Sequence, residues 1–462
     1  MIDGNDGNDG KQAPLLELAA FASATDIDRI PEPTREKARA CLLYGIAVAL
    51  ASTKAEEPAG AARFLDRRAA TGSARRILDG RPMPAGDAAL GNAVLFHLRV
   101  QDDAHACGHL GSVVLPAALA VAEETGASGA ALLAAVVAGY ETALRIGRDH
   151  GEAISRRGFR TTPVYGVFGA AAAAGRLLGL DAPRVANALS LAANFASGLR
   201  AFVASGTSAE RLFGVGFAAR NGIDAAGLAD EGMAATVDVL DGDAGFFRAF
   251  ADGDASYGRR LTADLGDVFE MDTITYKPYP VCQFHRGVVR GLAALRRQAD
   301  GAMPDRIEIR MHPFEADFFG VRHAGPITQR GQAVMSAPFL AAIAWHTGTV
   351  TFQALHDFDN PRFGEIMARV GVIADRSRAR YEPAIRVALA DGRTLEWKEA
   401  EGEGAYNLTW ASAVDGAGRL ADEAGISASA LAPLIDAVAA VQDAPSIELL
   451  MDRVCALAQA AK

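Results

Sequence analysis

From about Leu15 to Phe250, apolar residues recur at three- and four-residue steps, and the breaks between runs fall at Gly and Pro. That spacing puts one apolar stripe on each helix turn and predicts a succession of helices. After Pro31 and Pro33, the residues Ala38, Cys41, Leu42, Gly45, Val48 and Ala49 keep this step, with Thr34 as the expected N-cap. Further helices are predicted over 87–98, 112–124, 129–146, 163–180, 183–195 and 213–231. Their faces carry so much Ala and Gly that close helix–helix approach is expected, and the alanine run 170–174 reads as packing.

Beyond Asp264 the pattern changes. Residues 306–311 alternate polar and apolar, as do 385–389, and 394–397 follow after Asp391-Gly392. The last two runs with that turn predict a β-hairpin. Helical spacing returns over 333–352 and 360–370, and the C-terminal stretch is again rich in Ala and Leu. The expected fold class is mainly α with a smaller α+β domain. Residues 1–14 are read as a disordered tail, 15–268 as the first part of an all-helical domain, 269–402 as an inserted α+β lid, and 403–462 as helices completing the first domain. A cleft between the two domains is the expected ligand site.

Composition narrows the function. A net charge of −10 argues against nucleic acid and anionic membrane surfaces, which demand a basic face. Cys41, Cys107, Cys282 and Cys455 lie far apart without a CxxC pair, so neither disulfides nor a thiolate metal site is indicated, and a reducing cytoplasm is expected. The run TTPVYGVFGAAAAAG (161–175) is too short to span a membrane. The N-terminal MIDGNDGNDGKQAP has no basic and apolar leader pattern. Without GxxxxGK[ST], or GxGxxG between a strand and a helix, no nucleotide cofactor is expected.

Three stretches concentrate chemistry. QDDAHACGHLGS (101–112) holds Asp102, Asp103, His105, Cys107 and His109. It reads as a metal site, a proton-transfer loop or a structural polar loop; no second ligand cluster supports the metal, and none is expected. The following helix, capped by Ser112, would offer its free N–H groups to an anion. RRGFRTTPVYGVFG (156–169) brings Arg156, Arg157 and Arg160 to a helix start, either as a carboxylate or phosphate site or as a solvated basic turn. TYKPYPVCQFHRG (275–287) supplies Lys277, Cys282, His285 and Arg286. Cys282 reads as a small buried residue rather than a nucleophile, because spacing fixes no basic partner for it. The remaining histidines, His97 and His150 among them, are read as structural.

Taken together, Asn92, the pair Asp102-Asp103, HLGSVVLPAALAVAE, GYETALRIG, GVFGAAAAAGRLLGLD, GFAARNGIDAAGLADEG, LDGDAGFF and KPYPVCQFH resemble the recurrent blocks of the MmgE/PrpD family. The family includes 2-methylcitrate dehydratase, cis-aconitate decarboxylase and iminodisuccinate epimerase. The resemblance runs from about Leu15 to the C-terminus and implies a helical domain built from both chain ends, an α+β lid, a homodimer, and a metal-free site for small di- or tricarboxylates. It also implies catalytic roles for His109 and Lys277, with Asp102 or Asp103 orienting His105 or His109. Arg160 and Arg211 become candidate carboxylate clamps, and His105, Cys282 and His285 candidate substrate contacts. Departures are Arg160 where the family often has histidine, Ala104 for the decarboxylase's threonine, Val100 for its aspartate and Cys282 for a lid histidine. The family's lysine before the GxAA block has Glu210 and Arg211 nearest it.

The expected activity is a cofactor-independent lyase of the dehydratase type, removing a proton next to a carboxylate. An epimerase, a decarboxylase or an inactive ligand-binding paralogue are the alternatives. Proton removal there needs a base and cations to hold the developing charge.

Overall fold

The computed structural model describes residues 13–68, 71–205, 209–251 and 257–461. Residues 1–12 of the expected tail lie outside this set, but Pro14 is no part of a tail: it opens the helix Pro14–Ala24. Proline suits a first turn, where its missing N–H has no partner to lose.

The chain is mainly α with a smaller α+β part. One apolar core takes in buried residues from 15 to 274 and again from 408 to 461, while a second gathers those from 281 to 389. The first core thus runs through Met271 and Ile274, and the C-terminal helix Trp410–Ala424 packs on Glu32–Ala51.

Small residues decide how closely the helices approach. Ala170 to Ala174 are wholly buried in the helix Thr161–Leu177. This helix crosses Gly129–Gly147 at two glycines, where a Cβ on Gly139 would stand 2.7 Å from the Gly169 carbonyl oxygen. Gly139→Ala must therefore push the helices apart, at an expected cost of about 1–3 kcal/mol. A melting temperature equal to wild type would contradict that packing. The helix Gly129–Gly147 is long and apolar enough to cross a membrane, yet 89% of its apolar window is buried inside the molecule, the surroundings of a core helix.

Two helix starts differ from expectation. Thr34 is not an N-cap: the helix begins at Glu32, Pro33 fits its first turn, and the Thr34 hydroxyl donates to Asp272 Oδ2 at 3.0 Å. Nor does Ser112 cap its helix, which begins at Gly111; the Ser112 hydroxyl donates to the His109 carbonyl at 2.7 Å.

In the α+β part, Pro304–Met311 is one of two inner strands of a four-stranded sheet, parallel to Val370–Ala374 and antiparallel to the other inner strand, Ala384–Leu389. Alternation buries Ile307, Ile309 and Met311. Ala384–Leu389 continues into Thr394–Lys398 through Asp391-Gly392, the expected hairpin, with Gly392 at φ +89°. Helices Arg286–Ala299 and Ala337–Thr347 complete this core.

The two parts are joined at a short ladder. Asp103 pairs with Tyr276 and Ala104 with Thr275, antiparallel. In that register the next residues outward are Asp102 and Lys277. Tyr44, from the helix Glu32–Ala51, fixes the latter by donating its hydroxyl to the Lys277 carbonyl at 2.8 Å.

Candidate active site

Beside this ladder lies a cavity of about 470 Å³, bounded by residues of both parts, His97, His109, Arg160, Arg211, Cys282 and Tyr381 among them. Its inner end is built from a chain of contacts. Asp102, buried, sets Oδ1 3.0 Å from Lys277 Nζ and its other oxygen against His97 Nδ1. Lys277 Nζ lies 3.3 Å from His109 Nε2.

Partners fix both imidazole tautomers. The His109 Nδ1 atom stands 2.7 Å from the Asp103 carbonyl oxygen, which can only accept, so Nδ1 carries the proton and Nε2 keeps its lone pair toward Lys277. His97 Nε2 faces the Arg160 guanidinium, which can only donate, so the His97 Nδ1–H goes to Asp102. About 20% of the His109 side chain remains exposed, enough for a ligand to reach it. The His109 N–H donates to Thr162 Oγ1 at 3.1 Å. Gly108, at φ +112°, is the residue that permits this turn, since a Cβ there would lie 2.6 Å from the same hydroxyl.

Burial and charge divide the protons. Burial, then the adjacent Lys277 ammonium, pushes His109 down to about 4. Burial also lowers Lys277, opposed by Asp102. For Asp102 burial acts upward, but Lys277, His109 and His97 outweigh it and hold the carboxyl well below its usual range. Asp103 goes the other way: burial, with Asp102 nearby, pushes it up to about 7 against the Tyr140 and Gly111 hydrogen bonds.

Among the described residues no group of three or more His, Cys, Asp or Glu is placed to hold a metal. Where a cation would bridge Asp102 and His109, the Lys277 ammonium already stands.

A model of the MmgE/PrpD N-terminal domain matches residues 16–257. The chain belongs to the MmgE/PrpD family. Over 316 residues it is 30% identical to a cis-aconitate decarboxylase of Aspergillus terreus, a match covering 63% of this chain and 62% of that protein. The cis-aconitate decarboxylase-like protein oryM of Aspergillus oryzae is 30% identical over 308 residues, 63% of each chain. A Homo sapiens cis-aconitate decarboxylase is 27% identical over 306 residues, 62% of this chain and 61% of that one. The chain thus spans less than two thirds of the length of these curated relatives.

In this MmgE/PrpD chain the candidate residues sort by position. His105, His109, Arg160, Arg211 and Cys282 line the cavity, while Lys277 and Asp102 stand directly behind His109. Arg211 donates to the His97 and Leu98 carbonyls at 2.8 and 3.1 Å, and Arg160 reaches both the Arg211 carbonyl and His97.

Four expectations are corrected. His285 does not face the cavity: it is fully buried in the second core, with Nε2 2.9 Å from the Met335 carbonyl oxygen. Asp103 holds no imidazole by its carboxylate, which accepts from Tyr140 Oη at 2.7 Å and from the Gly111 N–H. The anion at that helix N-terminus is therefore the chain's own. Neither aspartate orients His105, whose Nδ1 accepts from the Cys107 N–H at 3.1 Å. Finally, Arg156 is exposed and pairs with Glu152 at 2.9 Å, and Arg157 is exposed too, so of that triad Arg160 alone lines the cavity.

Sequence reasoning missed several wall residues: His97, Arg200, Arg330 and Arg380 all line the cavity. For His97 a signal existed, since it stands five residues before Asp102 at the end of a helix.

Val100 is a strained point of the wall, as is Tyr381 at φ +63°; Val100 is a β-branched residue at φ +58°, where the left-handed region costs about 1–2 kcal/mol. Asn tolerates that region. Val100→Asn is expected to raise the melting temperature; a fall would mean that Val100 packing on the second core outweighs its strain.

Proposed function

We propose that this chain is a lyase acting on a small di- or tricarboxylate, with the His109–Lys277 pair moving the proton at a carbon next to a carboxylate. One observation carries the reading: an ammonium and a neutral imidazole meet at 3.3 Å at the edge of a cavity lined by arginines. Arg160 and Arg211, which pair with no carboxylate among the described residues, would clamp the substrate carboxylates.

Decarboxylation is the reaction favoured, and the names of the relatives support it. The bond from carbon to the departing carboxylate breaks, its electron pair stays on carbon, and CO2 leaves. A proton from Lys277, directly or through His109, then fills the carbon, and water restores it. The cations hold the charge that develops in between. The neutral state of His109 favours a second reading, dehydration, in which Nε2 takes the proton from carbon and hydroxide leaves.

Turnover of citrate, methylcitrate, cis-aconitate and iminodisuccinate, scored for CO2, water elimination and inversion, tests both. Release of CO2 from cis-aconitate is expected. Binding without turnover across the panel would instead point to an inactive paralogue.

The pH profile is a further check. A base is competent only when deprotonated, and His109 at about 4 remains so well below the usual histidine value. Its contribution to the acid limb of kcat/KM should fall near pH 4, so activity at about pH 5.5 stays comparable to that at neutrality. A limb centred near 6.5 would contradict a largely buried, cation-flanked His109.

A further inference from the structure

The helix Ala85–His97 ends at the cavity wall. The last carbonyls of a helix lack helical partners and carry the negative end of its dipole, a place that favours a cation. Arg211 fills it, donating to the His97 and Leu98 carbonyls at 2.8 and 3.1 Å. Arg160 joins the same seat, since it donates to the Arg211 carbonyl and to Nε2 of the His97 ring. Both arginines of the proposed clamp are thus held at one helix end, one by the main chain of His97 and the other by its side chain.

The chain then turns at Val100, φ +58°, and Asp102 returns to accept the Nδ1–H of His97. Asp102 in turn holds Lys277 at 3.0 Å, and Lys277 Nζ stands 3.3 Å from His109 Nε2. The rings of His97 and His109 lie 5.7 Å apart between centroids. His97 is only 1% exposed. Burial, opposed by Asp102, keeps it well below the usual histidine value, so the ring is neutral and its Nε2 lone pair stays with Arg160. With both nitrogens engaged by protein groups, the ring acts on a ligand through Arg160 and Asp102.

We propose that His97 is a positioning residue that couples two parts of the site: Nε2 sets Arg160 against a substrate carboxylate, and Nδ1–H sets Asp102, hence Lys277, for proton transfer. This rests on the reading of the cavity as a polycarboxylate site and adds to it a residue on which the clamp and the acid–base pair both depend. A histidine that merely filled the helix end would be indifferent to which nitrogen met which partner.

Two amides separate the nitrogens. The carbonyl oxygen of glutamine can stand near the place of Nε2, and the amide N–H of asparagine near that of Nδ1. In the full chain, His97→Asn therefore keeps the bond to Asp102 and unseats Arg160. Its calorimetric affinity for citrate is expected to fall about tenfold, the scale of one hydrogen bond to a charged group. Its kcat, on whichever of the four polycarboxylates the wild type turns over, should stay within about threefold. His97→Gln is expected to do the reverse, lowering kcat about tenfold at near-wild-type affinity. With Arg160→Ala already present, His97→Asn should weaken citrate by less than about twofold, because the partner it acts through is gone. Equal losses of affinity and kcat in both amide variants, tracking their melting temperatures, would overturn the assignment in favour of a structural role. Wild-type kinetics in His97→Leu would overturn it too. A wild type that binds these compounds and turns none over would break the tie to Lys277. If the wild type binds none of them, the polycarboxylate reading falls and this assignment with it.

Discussion

His109→Gln is expected to lower kcat/KM for polycarboxylate turnover by about 10²–10⁴-fold, the range supplied by one positioned acid–base group. Folding should persist. The imidazole is partly exposed to the cavity, and what it gives up is the contact of Nδ1 with the Asp103 carbonyl and that of Nε2 with Lys277. A single hydrogen bond contributes about 0.5–1.5 kcal/mol net, so the melting temperature should drop by only a few degrees. Near-wild-type turnover in a folded variant would remove His109 from the chemistry.

Lys277→Met is the second large effect, and it separates stability from catalysis. Lys277 is wholly buried and its partner Asp102 nearly so, the pair 3.0 Å apart. Removing one member of a buried pair strands the other charge, typically at about 3–5 kcal/mol. The variant should therefore melt well below wild type and lose turnover. Adding Asp102→Asn removes the stranded charge and should recover most of the stability without recovering activity. The two measurements together distinguish an ammonium needed for chemistry from one needed only to neutralise Asp102. Restored activity in the double variant would assign Lys277 to structure alone.

Much of this architecture was legible along the chain because helices and strands announce themselves by period. The helix over Gly129–Gly147 and the hairpin at Asp391-Gly392 stand where the spacing places them. The site was legible only in part. His109 and Lys277 could be singled out from their motifs, but their meeting depends on a ladder of two residue pairs, too short to leave a repeat. His97 ends an apolar helix and reads as a structural histidine; its role in the wall depends on Arg160, sixty-three positions away. Arg330 opens the helix Arg330–Met335 while Arg380 lies in a turn, and the two share no local pattern. His285 shows the converse failure. It belongs to the same short helical turn as Gln283, which lines the cavity, yet that turn directs it into the second core.

The most direct test of proton transfer at the carbon next to a carboxylate is deuterium incorporation. The full chain is incubated with cis-aconitate and with each of the other three polycarboxylates in deuterium oxide and followed by NMR. At least one compound is expected to gain deuterium at the carbon beside a carboxylate, in the product or in recovered substrate, and His109→Gln to abolish the gain. Binding of these compounds with no deuterium in any of them would contradict the assignment.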